Sequence, residues 1–292
     1  MQQWLGMIAD LAKIKITTGV TITVALGHFL FLQRFSWSVL PPVLGVFLLA
    51  CGSATLNHIQ EAEIDARMDR TRHRPIPTGR IGKDWALLIA LLFLSAGAYV
   101  LAGIEVYTLT VLGLGALALV WYNLVYTYLK RVTAFAIVPG ALIGAIPPVI
   151  GWVSAGGLVT DPGILGVAFF IFLWQIPHFW CLLLMTGQDY EQAGLPSLTR
   201  ILTRAQLERI TSIWMLSLAV AGIVLARRFH LAIPWLALTV VASLFLARVA
   251  LGVLRGRGGP SIGRPSFLRI NAYLLAMVVC LAGDALGRGA SS

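Results

Sequence analysis

The sequence predicts an all-α, polytopic membrane protein with nine transmembrane helices around a central cavity. Composition is the first observation: 58% of the 292 residues are hydrophobic and only 12% are charged, about half the charge of a soluble domain. The second is a mean hydropathy of +0.85. The third is that apolar stretches near the ~20-residue length needed to span a bilayer recur along the whole chain.

Nine such stretches predict nine helices, because an apolar span must satisfy its own backbone hydrogen bonds. In chain order they cover about 15–33, 38–57, 85–104, 107–125, 134–152, 163–184, 209–226, 231–249 and 268–286. Pro147 and Pro148 predict a kink in the fifth helix, which would widen the cavity. The connections are short except for two acidic loops, at about 61–84 and 185–208, and a Gly/Arg-rich linker at 250–266 that we expect to be mobile. We expect residues 1–292 to form a single domain.

Basic residues decide the expected orientation. The formal net charge is +10, and most Lys and Arg residues fall on one side of the membrane if the N-terminus is cytoplasmic. This bias is typical of cytoplasmic loops and predicts that both acidic loops face the cytoplasm. The basic surplus is then explained by membrane lipid, and we expect no nucleic-acid partner. No cleavable signal is visible, and we expect a bacterial cell inner membrane, with an organelle membrane as the alternative.

Oxygen-bearing side chains recur every four residues where the second predicted helix ends. Asn57, Glu61 and Asp65 share one helical face, about 6 Å apart along the axis. Carboxylates this close repel each other unless a cation lies between them, and Mg²⁺ prefers oxygen ligands while leaving positions for phosphate oxygens. The spacing therefore predicts a phosphate-binding Mg²⁺ site. The alternative is an ordinary loop with solvated ion pairs, although polar side chains at this depth are costly without partners.

Basic side chains follow the acidic face. Arg70 and Arg74 are candidate diphosphate ligands, because the guanidinium fork matches phosphate oxygens. The turn predicted at Pro75 would fold them back over the metal. Lys130 and Arg131 end the fourth predicted helix, and they either reach the diphosphate or complement the helix dipole and lipid headgroups.

The second acidic loop and the helix before it contain further candidates. Asp189 could hold a second Mg²⁺, or it is an ordinary loop acid. His178 either is a satisfied buried residue or contacts a planar aromatic substrate, and Tyr126 and Trp180 are candidate contacts for the same substrate. Because the rare acids cluster in the two loops, we expect the loops to converge.

These residues resemble the UbiA-type intramembrane prenyltransferase superfamily. Its first acidic motif is an Asn with acids four and eight residues later, followed by Arg-Thr and Arg-Pro. Here the matching residues are Asn57, Glu61, Asp65, Arg70-Thr71 and Arg74-Pro75. Over roughly residues 10–286 the chain most resembles the protohaem IX farnesyltransferases (haem O synthases) within it. The motifs that carry this more specific resemblance are Tyr126-Thr-x-Leu129-Lys130-Arg131, Gly144-Ala-x-Pro147-Pro148, Pro177-His178-Phe179-Trp180 and Asp189-Tyr190. Lys13-Ile14-Lys15 departs from the Lys-Pro-Arg often found there.

The resemblance implies a Mg²⁺-dependent enzyme that transfers a farnesyl group from farnesyl diphosphate to the vinyl group of haem B, giving haem O and diphosphate. It implies catalytic metal ligands at Asn57, Glu61, Asp65 and Asp189. Haem A synthase or oxidase assembly factors are candidate partners. A prenyltransferase of the same fold that acts on a quinone precursor or a chlorin shares the first motif and stays open. A transporter and a non-enzymatic haem chaperone are the alternatives from other classes.

Overall fold

The protein is a bundle of helices, described by a computed structural model over residues 2–255 and 262–290. Every regular element in these two ranges is helical. Nine of the described helices are long and apolar enough to cross a membrane, as the sequence predicts. We number these spans in chain order: Ile14–Leu32, Trp37–Gln60, Lys83–Ala102, Thr108–Leu129, Ile137–Ser154, Pro162–Gln192, Arg204–Arg228, Ile233–Leu254 and Arg264–Gly289.

The sixth span is longer than its apolar stretch predicts. It continues from the expected end near residue 184 to Gln192, so Asp189 lies in the last turn of a helix. The placement of Asp189 in a loop was wrong. The helix stops because Gly194 takes up left-handed backbone geometry (φ +75°), and the N–H of Leu195 donates to the carbonyl of Tyr190 at 3.0 Å. This is the usual glycine-terminated helix end.

The fourth and fifth spans are irregular where they approach the cavity. The fourth contains a wide turn of π type, Trp121–Tyr126, and then continues to Leu129. The fifth is divided into Ile137–Gly140 and Leu142–Ser154. Pro147 and Pro148 lie inside its second part, as the sequence predicts.

The spans form a closed ring, because each packs on the next and the ninth returns to the first. The first, fifth, sixth and ninth spans make further contacts with one another inside this ring. The first and fifth approach most closely at Gly27 and Gly151. A Cβ atom at either glycine would lie 1.9 Å from a backbone oxygen of the other helix, so only glycine allows this packing.

The connections agree with the sequence pattern in part. The first acidic loop contains the short helix Ala62–Asp65 and packs on an N-terminal helix, Gln2–Leu11, through an apolar cluster. The second loop is shorter than predicted and contains the helix Leu198–Ile201. The linker expected to be mobile has its middle, residues 256–261, outside the described residues.

A cavity of about 430 Å³ opens inside the bundle. Its walls come from the first, second, fourth, fifth and sixth spans, from the first acidic loop, and from Lys130 and Leu195 in the connections that follow the fourth and sixth spans. The third, seventh, eighth and ninth spans contribute no residue to the wall in the described part of the chain. They support the helices that do.

Candidate active site

Three oxygen-bearing side chains are buried at one end of the cavity. Asn57, Glu61 and Asp65 have 1%, 6% and 3% of their surface exposed, and all three line the cavity. Although the second span ends just before Glu61, the N–H of Glu61 donates to the Asn57 carbonyl (3.0 Å) and that of Asp65 to the Glu61 carbonyl (2.8 Å). The predicted shared face is therefore kept across the break, and a solvated loop does not describe these carboxylates.

A basic side chain contacts each of these three groups. The pairs are Lys13 with Asn57 (Nζ to Oδ1, 2.8 Å), Arg74 with Asp65 (Nη1 to Oδ2, 2.7 Å) and Lys130 with Glu61. Buried carboxylates are strongly destabilising without such partners. Because three basic side chains face two carboxylates, this group of five side chains is net positive when Lys13 is protonated. It attracts an anion even before any metal binds.

Lys13 is a site residue that the sequence reasoning did not select. It lies between the N-terminal helix and the first span, with a left-handed backbone (φ 48°) that is uncommon outside glycine. Burial lowers the pKa of Lys13 to about 7, and the guanidinium of Arg74 acts in the same direction. A lysine directly before an apolar span is also what the positive-inside pattern produces, so the sequence alone did not distinguish the two roles.

The two acidic loops converge, as predicted. Met68 of the first loop and Leu195 of the second belong to one buried apolar cluster, with Ile64 and Tyr190 packed against it. All four residues also line the cavity. The second loop therefore closes the charged end of the cavity through apolar and aromatic contacts.

Two tyrosines of the fourth span form an aromatic wall beside the charged group. The rings of Tyr122 and Tyr126 stack at 5.9 Å with an 18° interplanar angle, and both line the cavity. The π-type turn that presents them is held by Asn123, whose amide donates to the Ser53 carbonyl (3.0 Å) and to Gln60 Oε1 (3.2 Å). Tyr126 was predicted as a substrate contact. Tyr122 was missed, and its four-residue spacing from Tyr126 was the available signal.

His178 and Trp180 point away from the cavity. His178 Nδ1 lies 2.7 Å from Asn271 Oδ1 on the ninth span, and its ring packs against Phe267 at 4.7 Å. Trp180 is buried in a separate apolar cluster. The residue between them lines the cavity, and successive helical residues point about 100° apart. The structure does not bring these two side chains to the wall, so their contact with an aromatic substrate stays a prediction.

Asp189 and Arg131 also lie outside the wall. Asp189 is half-buried, and within the described residues no ion pair involves it. The next residue, Tyr190, lines the cavity. Arg131 is exposed, donates from Nη2 to the Gln60 carbonyl at 2.7 Å and lies over a tyrosine ring. Of the two alternatives for Arg131, this geometry favours complementing a helix end over binding a diphosphate.

The cavity joins two chemical environments. One end holds the charged group together with Arg70. The deeper wall is apolar and includes Val46, Leu49, Ala118, Leu119, Ile143 and Ile150. Such a cavity fits a ligand with an anionic head and a long hydrocarbon tail, because both parts find matching surroundings. A helical membrane bundle with this site is of the intramembrane prenyltransferase class.

Comparison with known proteins agrees with this class. The sequence profile of the UbiA prenyltransferase family matches residues 16–268, and the protein therefore belongs to this family. The protoheme IX farnesyltransferase of Geobacter sulfurreducens is 36% identical over 261 residues, which cover 89% of this chain and 92% of that protein.

Solved structures show the same fold. A structure described as digeranylgeranylglyceryl phosphate synthase is similar with a TM-score of 0.79 at 13% identity, covering 98% of this chain and all of the other. A UbiA homologue from Archaeoglobus fulgidus, bound to GPP and Mg²⁺, is similar with a TM-score of 0.67 at 13% identity. That comparison covers 96% of this chain and 99% of the homologue. At these identities the likeness is one of fold.

Proposed function

We propose that the protein transfers a farnesyl group from farnesyl diphosphate to the vinyl group of haem B, giving haem O and diphosphate. The observation that carries the proposal is the buried, net positive group of charges at the end of an apolar-walled cavity. Relatives named protoheme IX farnesyltransferase, at 36% identity over most of the chain, support this choice of substrates.

The basic side chains are suited to hold the diphosphate. Arg74 and Lys130 line the cavity and reach its carboxylates, and Lys13 and Arg70 line the same end. Charge-assisted hydrogen bonds from such groups are roughly twice as strong as neutral ones. On binding, the diphosphate oxygens would replace the carboxylates as partners of these cations. That exchange frees the carboxylate oxygens for another ligand.

The freed oxygen atoms have the chemistry that Mg²⁺ requires. The described residues contain no group of three His, Cys, Asp or Glu placed to hold a metal by themselves. Two carboxylates and an amide oxygen, completed by phosphate oxygens, are a usual set for Mg²⁺. Asn57, Glu61 and Asp65 would hold the ion, and Asp189 is the candidate for a second one. When bound, Mg²⁺ would neutralise charge on the leaving diphosphate.

The protein's own groups account for the other requirements of the reaction. Cleaving the bond between C1 and oxygen places negative charge on the diphosphate, which Lys13, Arg74 and Lys130 stabilise. The allylic cation that remains needs dry surroundings and a negative potential. Tyr122 and Tyr126, which line the cavity beside the charged group, would contribute to both, since aromatic rings are apolar and attract cations. The apolar wall would bind the farnesyl tail at ~0.8 kcal/mol per buried methylene.

The proposed location follows from the charge pattern of the loops. The active site would face the cytoplasm from a bacterial inner membrane, with the N-terminus on the same side. Haem A synthase or oxidase assembly factors would be the partners that accept the product. Both statements rest on the sequence pattern and on the proposed reaction.

Product analysis tests the function directly. The purified protein is incubated with farnesyl diphosphate, haem B and Mg²⁺, and the haem products are identified by mass. We expect a haem carrying a hydroxyethylfarnesyl group, in amounts equal to the diphosphate released. Prenylation of a quinone-ring precursor without any haem adduct would contradict the proposal and indicate a different acceptor.

A further inference from the structure

A buried amide interrupts the apolar wall of the cavity. Gln175 of the sixth span has 8% of its surface exposed, and it lines the cavity beside Gly144 and Pro147 of the fifth span. Burying an amide is costly unless its hydrogen-bonding groups are used. The proposed diphosphate site makes no use of Gln175, so its polar atoms need another explanation.

The orientation of this amide is fixed by its partners. Nε2 donates to the Ala141 carbonyl at 2.7 Å and to the Ile171 carbonyl at 3.4 Å. Both partners are acceptors, so the nitrogen and oxygen cannot be exchanged. In the described part of the chain no donor bonds to Oε1. The side chain thus presents an acceptor, with no protein partner, to the cavity.

The amide also has no room to turn. A Cβ atom added to Gly144 would lie 2.5 Å from Nε2 and 2.7 Å from Oε1 of Gln175. The amide therefore packs flat on the backbone of Gly144. This close contact explains why a glycine is needed at this position of the fifth span.

Two backbone carbonyls of the fifth span are left without their regular helical donors next to Gln175. Pro147 and Pro148 have no N–H, so the carbonyls of Ile143 and Gly144 lack their regular helical donor. Ile143 and Gly144 both line the cavity. Other polar groups of the deep wall are already engaged: the Thr17 hydroxyl donates to a backbone carbonyl and the Ser53 hydroxyl donates to Asn123.

This surface lies one helical turn from the tyrosine wall. Gly140 contacts the ring of Tyr126, and Gly144 contacts Gln175. Four helical residues separate the two glycines, a rise of about 6 Å. Gln175 is therefore just beyond the place where the prenyl carbon would be released, and not at the diphosphate itself.

We propose that Gln175, with one of the two carbonyls of Ile143 and Gly144, positions the water molecule that completes the reaction. This inference rests on the proposed function. A water bound by acceptors uses both hydrogen atoms and keeps a lone pair free, and two to four polar partners suffice to hold it. Donors would occupy that lone pair.

The proposed reaction conserves atoms and charge in the following steps. The bond between C1 and the diphosphate oxygen breaks, and C1 bonds to the terminal carbon of the vinyl group, leaving a cation on the carbon next to the porphyrin ring. The positioned water adds its oxygen to this carbon, and the protonated hydroxyl group that forms gives up one proton to solvent water. An amide oxygen is too weak a base to remove a proton from the cation's neighbouring carbon, so it favours hydration over elimination.

The test is the ratio of two haem adducts, the hydroxylated one and the alkene that is lighter by one water. Gln175→Leu keeps the approximate size but removes the acceptor. We expect the hydroxylated fraction to fall about tenfold relative to the alkene, as expected for losing one hydrogen bond to the reacting water. Gly144→Ala, which displaces the amide while keeping it, should shift the ratio in the same direction.

Thr211→Val is the matched control. Thr211 is fully buried in the seventh span, outside the cavity, and its hydroxyl donates to a carbonyl of its own helix. This variant should keep the native ratio. An unchanged ratio in folded Gln175→Leu and Gly144→Ala would overturn the inference, and so would loss of both adducts, since hydration follows carbon–carbon bond formation. If the native protein makes no haem adduct, the proposed function itself fails.

Discussion

The two acidic loops meet at the same end of the cavity but differ in how their carboxylates are held. In the first loop, Glu61 and Asp65 are buried and paired with Lys130 and Arg74. At the start of the second, in the last turn of the sixth span, Asp189 is half-buried and forms no ion pair within the described residues. The carboxylates of the first loop are therefore held in fixed ion pairs, whereas Asp189 has no ion-pair partner there.

This difference has a physical basis. The acids of the first loop continue the helical repeat of a membrane span, so they enter the cavity wall and need buried partners. Asp189 occupies the last turn of a helix whose neighbouring residue, Tyr190, faces the cavity. Aromatic and apolar contacts, and not charge pairing, join the second loop to the site. We therefore expect unequal effects when the two loops are altered.

The largest effect is expected at Asp65. Asp65→Ala removes a proposed metal ligand and leaves Arg74 without its carboxylate, so turnover should fall at least about 1000-fold. The measurement is haem O formed from haem B and farnesyl diphosphate. Asp69→Ala is the matched control in the same loop, because Asp69 is exposed and pairs with Arg72 at 3.4 Å, away from the cavity wall. If Asp65→Ala kept the native turnover, the expected difference between the two loops would be contradicted.

Removal of divalent metal should have a comparable effect. Excess EDTA is expected to stop turnover, and added Mg²⁺ is expected to restore it, because the ion would neutralise the charge that develops on the leaving diphosphate. Turnover is followed by diphosphate release. Activity that persists in the chelator would mean that the basic side chains of the site suffice.

Substitutions at two adjacent basic residues should lower turnover by different amounts, and both losses should be smaller than the loss at Asp65. Lys130→Gln removes the partner of Glu61, and we expect turnover to fall about 100-fold. Arg131→Gln is the control, since Arg131 is exposed and bonds to a backbone carbonyl. It should stay within about twofold of the native rate. Equal losses in steady-state assays of both variants would show that the ion pair does not define the site.

The smallest effect is expected at the end of the sixth span, beside the second loop. Asp189→Asn should lower kcat/KM for farnesyl diphosphate about tenfold, since Asp189 is the candidate for a second and less fixed metal contact. Glu191→Gln is its control, because Glu191 lies in the same helical turn, bonds to Thr199 and lies 3.9 Å from Arg200 of the second loop. A loss at Asp189 as large as that at Asp65 would make the two loops equivalent.

Much of the fold could be predicted from the sequence. The nine spans follow from composition, and the charged face at Asn57, Glu61 and Asp65 follows from a spacing of four. The ends of the helices could be predicted less well. The sixth span continues through the polar segment around Thr186, whose hydroxyl bonds to its own helix, and stops at a glycine. Polar residues at a membrane surface fit a helix and a loop equally well.

The direction of each side chain in the aromatic stretch could not be predicted from the sequence either. Pro177-His178-Phe179-Trp180 predicts an aromatic surface, but a helix turns its neighbouring residues to different sides. Phe179 faces the cavity, His178 faces the ninth span and Trp180 faces the seventh. Which residue contacts the substrate depends on how the sixth span is rotated against its neighbours.

The sequence by itself determined that the chain is a helical membrane protein with acids and arginines at one helix end, because hydropathy and four-residue spacing are local properties. Only the tertiary structure decided that Lys13, Arg74 and Lys130 meet those acids and that Gln175 presents its oxygen to the cavity. These contacts join residues far apart in the chain, and their geometry depends on how spans approach at small residues such as Gly144. No local pattern contains that information.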